Sequence, residues 1–143
     1  MKANGVSFKC ELVGDGMDFY EMKKYSEELQ LGDRVHFTGL LQGEELADTL
    51  SSGDFLVISS NYENLPVVIL EALASGLPIV STNVGGIAEI VNKRNGLLVP
   101  PFDVEKLAEA MTSMCKRHNE YDKNYLIITT YTKRNKYKRV VAF

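Results

Sequence analysis

"GDFLVISSNYENLPVVILEALASGLPIVST", residues 53–82, decides the fold. "DFLVISS" is a nearly continuous apolar run, as a strand covered on both faces requires. "PVVILEALASG" carries Pro66 in the first turn of a helix and Gly76 just past its end. "LPIVST" is a second buried strand. Strand, helix, strand with short apolar strands is the signature of a parallel sheet covered by helices.

The alternation continues on either side. Upstream, "VSFKCELVG" reads as a strand ended by "GDG", and "MDFYEMKKYSEELQL" as an amphipathic helix closed by Gly32. "RVHFTG" is a short strand, and "GEELADTLSSG" a short helix ended by Gly53. Downstream come a short helix, "GIAEIVN", and a strand, "GLLVP". The helix "DVEKLAEAMTSMCKR" follows, with Asp103 as N-cap and Lys116 and Arg117 at its C-terminal end. The expected class is α/β, a Rossmann-like parallel sheet with helices on both faces, over residues 1–118. Residues 119–143 form a basic tail, in which "NYLIITTYT" has the composition of a strand and "KRNKYKRVVAF" suits helix or coil.

The chain has 143 residues, 45% hydrophobic and 24% charged, enough for one domain with its own core. No apolar run approaches the roughly 18 residues of a membrane helix. "MKANGVSFKC" lacks the apolar core of a signal peptide. Cys10 and Cys115 are far apart and in no metal spacing, which suits reduced thiols in a cytoplasmic protein. Net charge is -3, so nothing global points to nucleic acid. The basic end, from Lys116 and Arg117 through Lys133, Arg134, Lys136, Lys138 and Arg139, reads as a solvated surface or as a weak attraction to anionic lipid or a partner.

In parallel sheets ligands bind where strands end and helices begin. The loops to inspect are "VGDG", "TGLLQ", "SSNYENLP" and "TNVGGI". "VGDGMD" is too short for a dinucleotide fingerprint and lacks a following Gly-Lys-Ser/Thr. "SSNYENLP" leads into the helix carrying Glu71, whose N-terminus would seat phosphate on amides near Asn64, Leu65, Val67 and Val68, while Pro66 donates none. Glu63 lies at the mouth of that seat and Glu71 eight positions further on. At ~1.5 Å per residue the carboxylates stand on the order of 10 Å apart. That suits a ligand with hydroxyls at both ends and anionic charge between, such as a nucleotide sugar. Within "VVILEALA" apolar residues occupy nearly every face, so a solvent stripe at Glu71 should be narrow. Gly85 and Gly86, ahead of a helix with Glu89 in its first turn, form either a second backbone surface closing on the ligand or a plain turn. Nothing pairs His36 or His118 with an acid or nucleophile, so both read as structural. No metal spacing occurs.

"ENLPVVILEALASGLPIVSTNVGGIAEIV" resembles the donor-sugar half of retaining glycosyltransferases of the GT-B architecture, which carry a glutamate, seven residues and a second glutamate. The resemblance extends through "LVGDG", "DRVHFTGLL", "GDFLVISS" and "NGLLVPPFDVEKLAEAM", about residues 6–115. It implies transfer of a sugar from a UDP-, GDP- or ADP-sugar to an acceptor hydroxyl with retention, without a cofactor or metal. It implies further that Glu63 is catalytic and meets donor-sugar hydroxyls, and that Glu71 grips the ribose. Amides near Asn64 to Val68 would hold the diphosphate, Gly14 and Gly16 its other side, and the backbone at Leu40 and Leu41 the base. Surface polysaccharide or lipopolysaccharide synthesis is the implied setting, in the cytoplasm or at the inner membrane face.

The family's donor domain opens with a strand ending in glycine-arginine, then a lysine. This sequence has no match for them, nor for the acceptor-binding domain, so the chain is expected to be inactive alone. The absent strand is a central one, and its neighbours need backbone partners. A second copy could cover the gap, or "NYLIITTYTKRNKYKRVVAF" could fold back into it, with Lys133, Arg134 and Lys136 offered to phosphate. Otherwise the tail is a helix that crosses to the other domain. A GT-B epimerase and a non-catalytic nucleotide-binding or assembly module are the competing functions.

Overall fold

A computed structural model of the chain describes residues 5–122, 126 and 138–143. Its elements in order are β1 (Phe8–Val13), α1 (Phe19–Glu28), β2 (Val35–Gly39), α2 (Gly43–Ser52), β3 (Phe55–Ile58), α3 (Val67–Ala74), β4 (Ile79–Thr82), α4 (Ile87–Ile90), β5 (Gly96–Val99), α5 (Val104–Arg117) and β6 (Lys138–Ala142). A single 3-10 turn, His118–Glu120, follows α5. The described strands form one six-stranded sheet in the order β2-β1-β6-β3-β4-β5, and every pairing is parallel.

The sequence pattern explains the centre of this sheet. All four residues of β3, and all four of β4, are buried. Leu56, Ile58 and Ile79 face one core with Leu50 of α2 and Ile69, Ala72 and Leu73 of α3. Phe55, Val57 and Val80 face the other, with Ala110, Met114 and Cys115 of α5. Asp103 caps α5 by accepting from the Lys106 N–H at 2.9 Å, as its position predicts. Gly76, at φ +77°, ends α3. Pro66 sits one residue earlier than expected, at the N-cap of α3 rather than inside it.

Two further differences from the sequence reading concern the end of α1 and the tail. Helix α1 stops at Glu28, short of Gly32. Gln30 takes the left-handed conformation, φ +54°, with its N–H on the Glu27 carbonyl and that of Leu31 on Ser26. That is a Schellman ending with glutamine in the place glycine usually holds. The second difference concerns the tail. Residues 138–142, expected as helix or coil, are a strand.

Strand β6 lies at the centre of the sheet, between β1 and β3. It pairs with β1 from Phe8↔Lys138 to Leu12↔Ala142, and with β3 from Phe55↔Val140 to Val57↔Ala142. Val141 is fully buried in the α2/α3 core, and the Phe143 N–H donates to the Val57 carbonyl at 3.3 Å. The backbone groups of β1 and β3 that a missing strand would leave open are therefore met by this chain itself, where a second copy had been the alternative. Strand direction matters here. Because β6 is parallel, its basic beginning lies at the edge where the strands start, and Phe143 lies at the edge where they end. Lys133, Arg134 and Lys136, and the "NYLIITTYT" strand apart from Leu126, lie outside the described residues.

Both histidines sit beside carboxylates, contrary to the sequence reading. His36 Nδ1 is 2.7 Å from Glu11 Oε2, its register partner across β1 and β2. His118 Nε2 is 3.4 Å from Asp54 Oδ1.

A candidate donor-binding crevice at the strand ends

The loops after β3 and β4 meet over the C-terminal edge of the sheet. Asn61, Tyr62, Glu63, Asn64, Val84 and Gly85 line an open cavity of about 620 Å³. Glu63 is half-buried in its wall, while Tyr62 is 87% exposed beside it. Three hydrogen bonds fix this wall. The Thr82 hydroxyl donates to the Ser60 carbonyl, the Ser60 hydroxyl to Glu63 Oε1 at 3.1 Å, and the Gly86 N–H to the Asn64 carbonyl at 2.6 Å. Gly85, at φ +53°, packs directly on the Glu63–Asn64 backbone, where no side chain would fit. Glu89 is exposed on α4.

The cavity opens beside the start of α3. No side chain caps that helix. The N–H groups of Val67 and Val68 belong to its first turn, which has no intrahelical acceptors and carries the positive end of the helix dipole. Glu71 stands one turn further along and is exposed. Its face is wider than the sequence suggested. Val67 is 67% and Leu70 46% exposed, and Ala74 is exposed too. These residues recur at helical spacing, so α3 presents a full apolar stripe around Glu71.

The remaining sequence-selected residues lie on the same edge of the sheet, beyond β6, and do not line the cavity. Gly14 and Gly16 follow β1, two strand spacings or about 10 Å from the β3 end, and Leu40 and Leu41 follow β2, three spacings or about 14 Å away. The Gly14 N–H is used within the fold, donating to the Gly39 carbonyl at 2.8 Å, and the Gly16 carbonyl accepts from the Phe19 N–H. Leu40 is 57% exposed, while the Leu41 side chain packs on the α2/α3 core. Sequence reasoning chose the two loops but passed over Ser60, Asn61, Tyr62, Thr82 and Val84 within them. Only the loop position could have flagged these, since none belongs to a charge or spacing pattern.

The charge at this edge is negative. Segments 14–18, 40–42, 59–66, 83–86 and 100–103 carry Asp15, Asp18, Glu63 and Asp103 and no lysine or arginine. Of the basic residues of the C-terminal end, Lys116 and Arg117 finish α5 at the opposite edge, where Arg117 pairs with Glu120 at 2.8 Å, and Lys138 and Arg139 open β6 at that same edge. Among the described residues no group of three or more His, Cys, Asp or Glu could hold a metal ion. None of their helices is long and apolar enough to cross a membrane.

The family model for glycosyl transferases group 1 matches residues 1–130. The chain belongs to this family. It is 42% identical over 101 residues to the sulfoquinovosyl transferase SQD2 of Arabidopsis thaliana, covering 68% of this chain and 19% of that protein. Among solved structures, the galactosyltransferase WaaB of the lipopolysaccharide outer core superposes with a TM-score of 0.75 at 23% identity. The match covers 83% of this chain and 34% of WaaB, and it shows the fold. Anabaena HepE in complex with UDP-glucose gives a TM-score of 0.64 at 25% identity, covering 83% of this chain and 38% of HepE. The chain spans 19% to 30% of the length of curated relatives such as SQD2 and the Salmonella typhimurium colanic acid glycosyltransferase WcaL. The GT-B-like parallel sheet expected from the sequence is thus the fold observed.

Proposed function

We propose that this chain is the nucleotide-sugar-binding half of a retaining glycosyltransferase acting in surface polysaccharide or lipopolysaccharide synthesis in the cytoplasm. The observation that carries the reading is the placement of Glu63 in a cavity beside the uncapped start of α3, with Glu71 exposed on the same helix. The diphosphate would lie against the first-turn amides of α3, with Asn64 and Leu65 before them. Glu63 would meet sugar hydroxyls and Glu71 the ribose. The bond from the anomeric carbon to the β-phosphate oxygen breaks, and one to the acceptor oxygen forms on the same face. The protein's work is positioning and stabilisation of the leaving diphosphate. The UDP-glucose complex of HepE supports UDP as the first nucleotide to try. No metal is required by this reading. The remaining parts of such an enzyme, including its acceptor site, would have to complete this half for transfer to occur.

Calorimetric titration with UDP, GDP, ADP and UDP-glucose tests the donor role. One nucleotide should bind weakly, and Glu71→Ala should abolish its binding while leaving the melting temperature unchanged. Equal binding by the variant would remove Glu71 from the site. A nucleotide-binding module without transfer activity is the second reading. What favours it is the absence of lysine and arginine from the described crevice loops, which leaves backbone dipoles to face the diphosphate charge. Sugar transfer by the chain combined with an acceptor domain would dismiss it.

A further inference from the structure

We infer that Ser60 is a positioning residue for Glu63, itself held in place by Thr82. Ser60 lies two residues beyond the end of β3, and Thr82 is the last residue of the neighbouring strand β4. The register Ile58↔Ser81 brings these strand ends together. Thr82 is 3% exposed, and its hydroxyl donates to the Ser60 carbonyl. The Ser60 hydroxyl has one proton, and it donates that proton to Glu63 Oε1 at 3.1 Å. Two hydrogen bonds, one to the backbone of Ser60 and one from its side chain, therefore link the buried end of β4 to the carboxylate in the cavity wall.

Glu63 is on a loop, where an unsupported side chain samples several rotamers. The backbone of Glu63 and Asn64 is already fixed by Gly85 and by the Gly86 N–H. Ser60 adds the remaining constraint, on the carboxylate itself. Because Oε1 is engaged, Oε2 is the oxygen left fully available to a ligand. Such a group would select a single donor hydroxyl in a fixed direction, and its preorganisation removes an ordering cost at binding. The hydrogen bond stands on the structure alone, and the ligand it serves rests on the donor-binding reading above.

The test uses Ser60→Ala, Ser60→Thr and Thr82→Val in the 143-residue chain. The measured quantity is the ratio of UDP-glucose affinity to UDP affinity, which isolates the sugar contribution. Ser60→Ala should lower this ratio about five- to tenfold, the usual net weight of one hydrogen bond. UDP affinity itself should not move. Ser60→Thr, which keeps the hydroxyl, should restore the ratio, and Thr82→Val should reproduce part of the loss. Where wild type prefers UDP-glucose, an unchanged ratio in Ser60→Ala overturns the inference. A crystal structure of Ser60→Ala gives a readout independent of ligand. The Glu63 carboxylate should occupy a different rotamer, and an unmoved carboxylate also overturns the positioning role. If wild-type chain binds UDP-glucose and UDP equally while the variant's carboxylate moves, the donor role of Glu63 fails and the Ser60 contact stands.

Discussion

Gly85 lies so close to Glu63 that a Cβ placed on it would overlap the Glu63 carbonyl oxygen and come within 2.7 Å of the Asn64 carbonyl oxygen. The left-handed φ of +53° adds strain for any other residue. Gly85→Ala should therefore push the Glu63 loop off β4. We expect a loss of ~2–4 kcal/mol in urea unfolding. The UDP-glucose preference over UDP should vanish with it. Gly86→Ala is the control, because its Cβ would stand 3.0 Å from the Asn64 oxygen at an unstrained φ. It should cost about 1 kcal/mol or less. Equal stability of the two variants would mean that the loops are not locked at Gly85.

Strand β6 should be integral to the sheet rather than an appendage. Val141 is fully buried, and its neighbours include Gly53, where a Cβ would come 3.1 Å from Val141 Cγ2. Val141→Ala should cost ~1–3 kcal/mol. Val141→Pro should do far worse, since a proline removes a ladder donor from a strand paired on both sides. Loss of the cooperative urea transition in the proline variant is the expected result. A proline variant that unfolds like wild type would show that the strand does not hold the central position in solution.

The parts of the fold that the sequence announced are those in which burial alone dictates residue type. "FLVI" is apolar throughout, and "IVST" is apolar except for Ser81 and Thr82, whose buried hydroxyls donate to backbone carbonyls, because β3 and β4 are covered on both faces. "KRVVA" gave no such signal. It mixes helix-forming and β-branched residues, and its place is set by pairing with β1 and β3. The site divides in the same way. Glu71 stood out by charge in an apolar run and Glu63 by its pairing with Glu71 across the proline-led helix start, whereas the Ser60–Thr82 contact spans 22 positions and needs the β3–β4 register. The Glu11–His36 pair was hidden for the same reason, being direct partners only once β1 and β2 are aligned.

Gln30 offers a stability test independent of ligand. It holds the left-handed position that closes α1, at φ +54°. A side chain there costs ~1–2 kcal/mol that glycine avoids, against the extra freedom glycine has when unfolded. Gln30→Gly should stabilise the chain by about 0.5–1 kcal/mol. A rise of a few degrees in melting temperature is the measurement, and a fall would show that what the Gln30 side chain contributes outweighs the strain of its left-handed backbone.

Cys10 makes stability depend on alkaline pH. Burial, with a smaller contribution from the neighbouring Glu11 charge, pushes its thiol up from 9.0 to about 12. The folded state then holds the proton that the unfolded state releases. Stability from this group is complete below pH 9.0 and is lost as pH rises towards about 12. At pH 10.5 the loss is at most about 2 kcal/mol, and partial exposure of Cys10 in β1 reduces it. Urea unfolding of wild type and Cys10→Ala at pH 8 and pH 10.5 isolates the effect from other alkaline titrations. Wild type should lose more stability over that interval than the variant. Iodoacetamide should likewise modify Cys10 in the folded chain at pH 9 more slowly than in urea-unfolded chain, because the half-buried thiol stays protonated where the free one ionises. Parallel stability losses in the two proteins, or equal alkylation rates, would place Cys10 in contact with water.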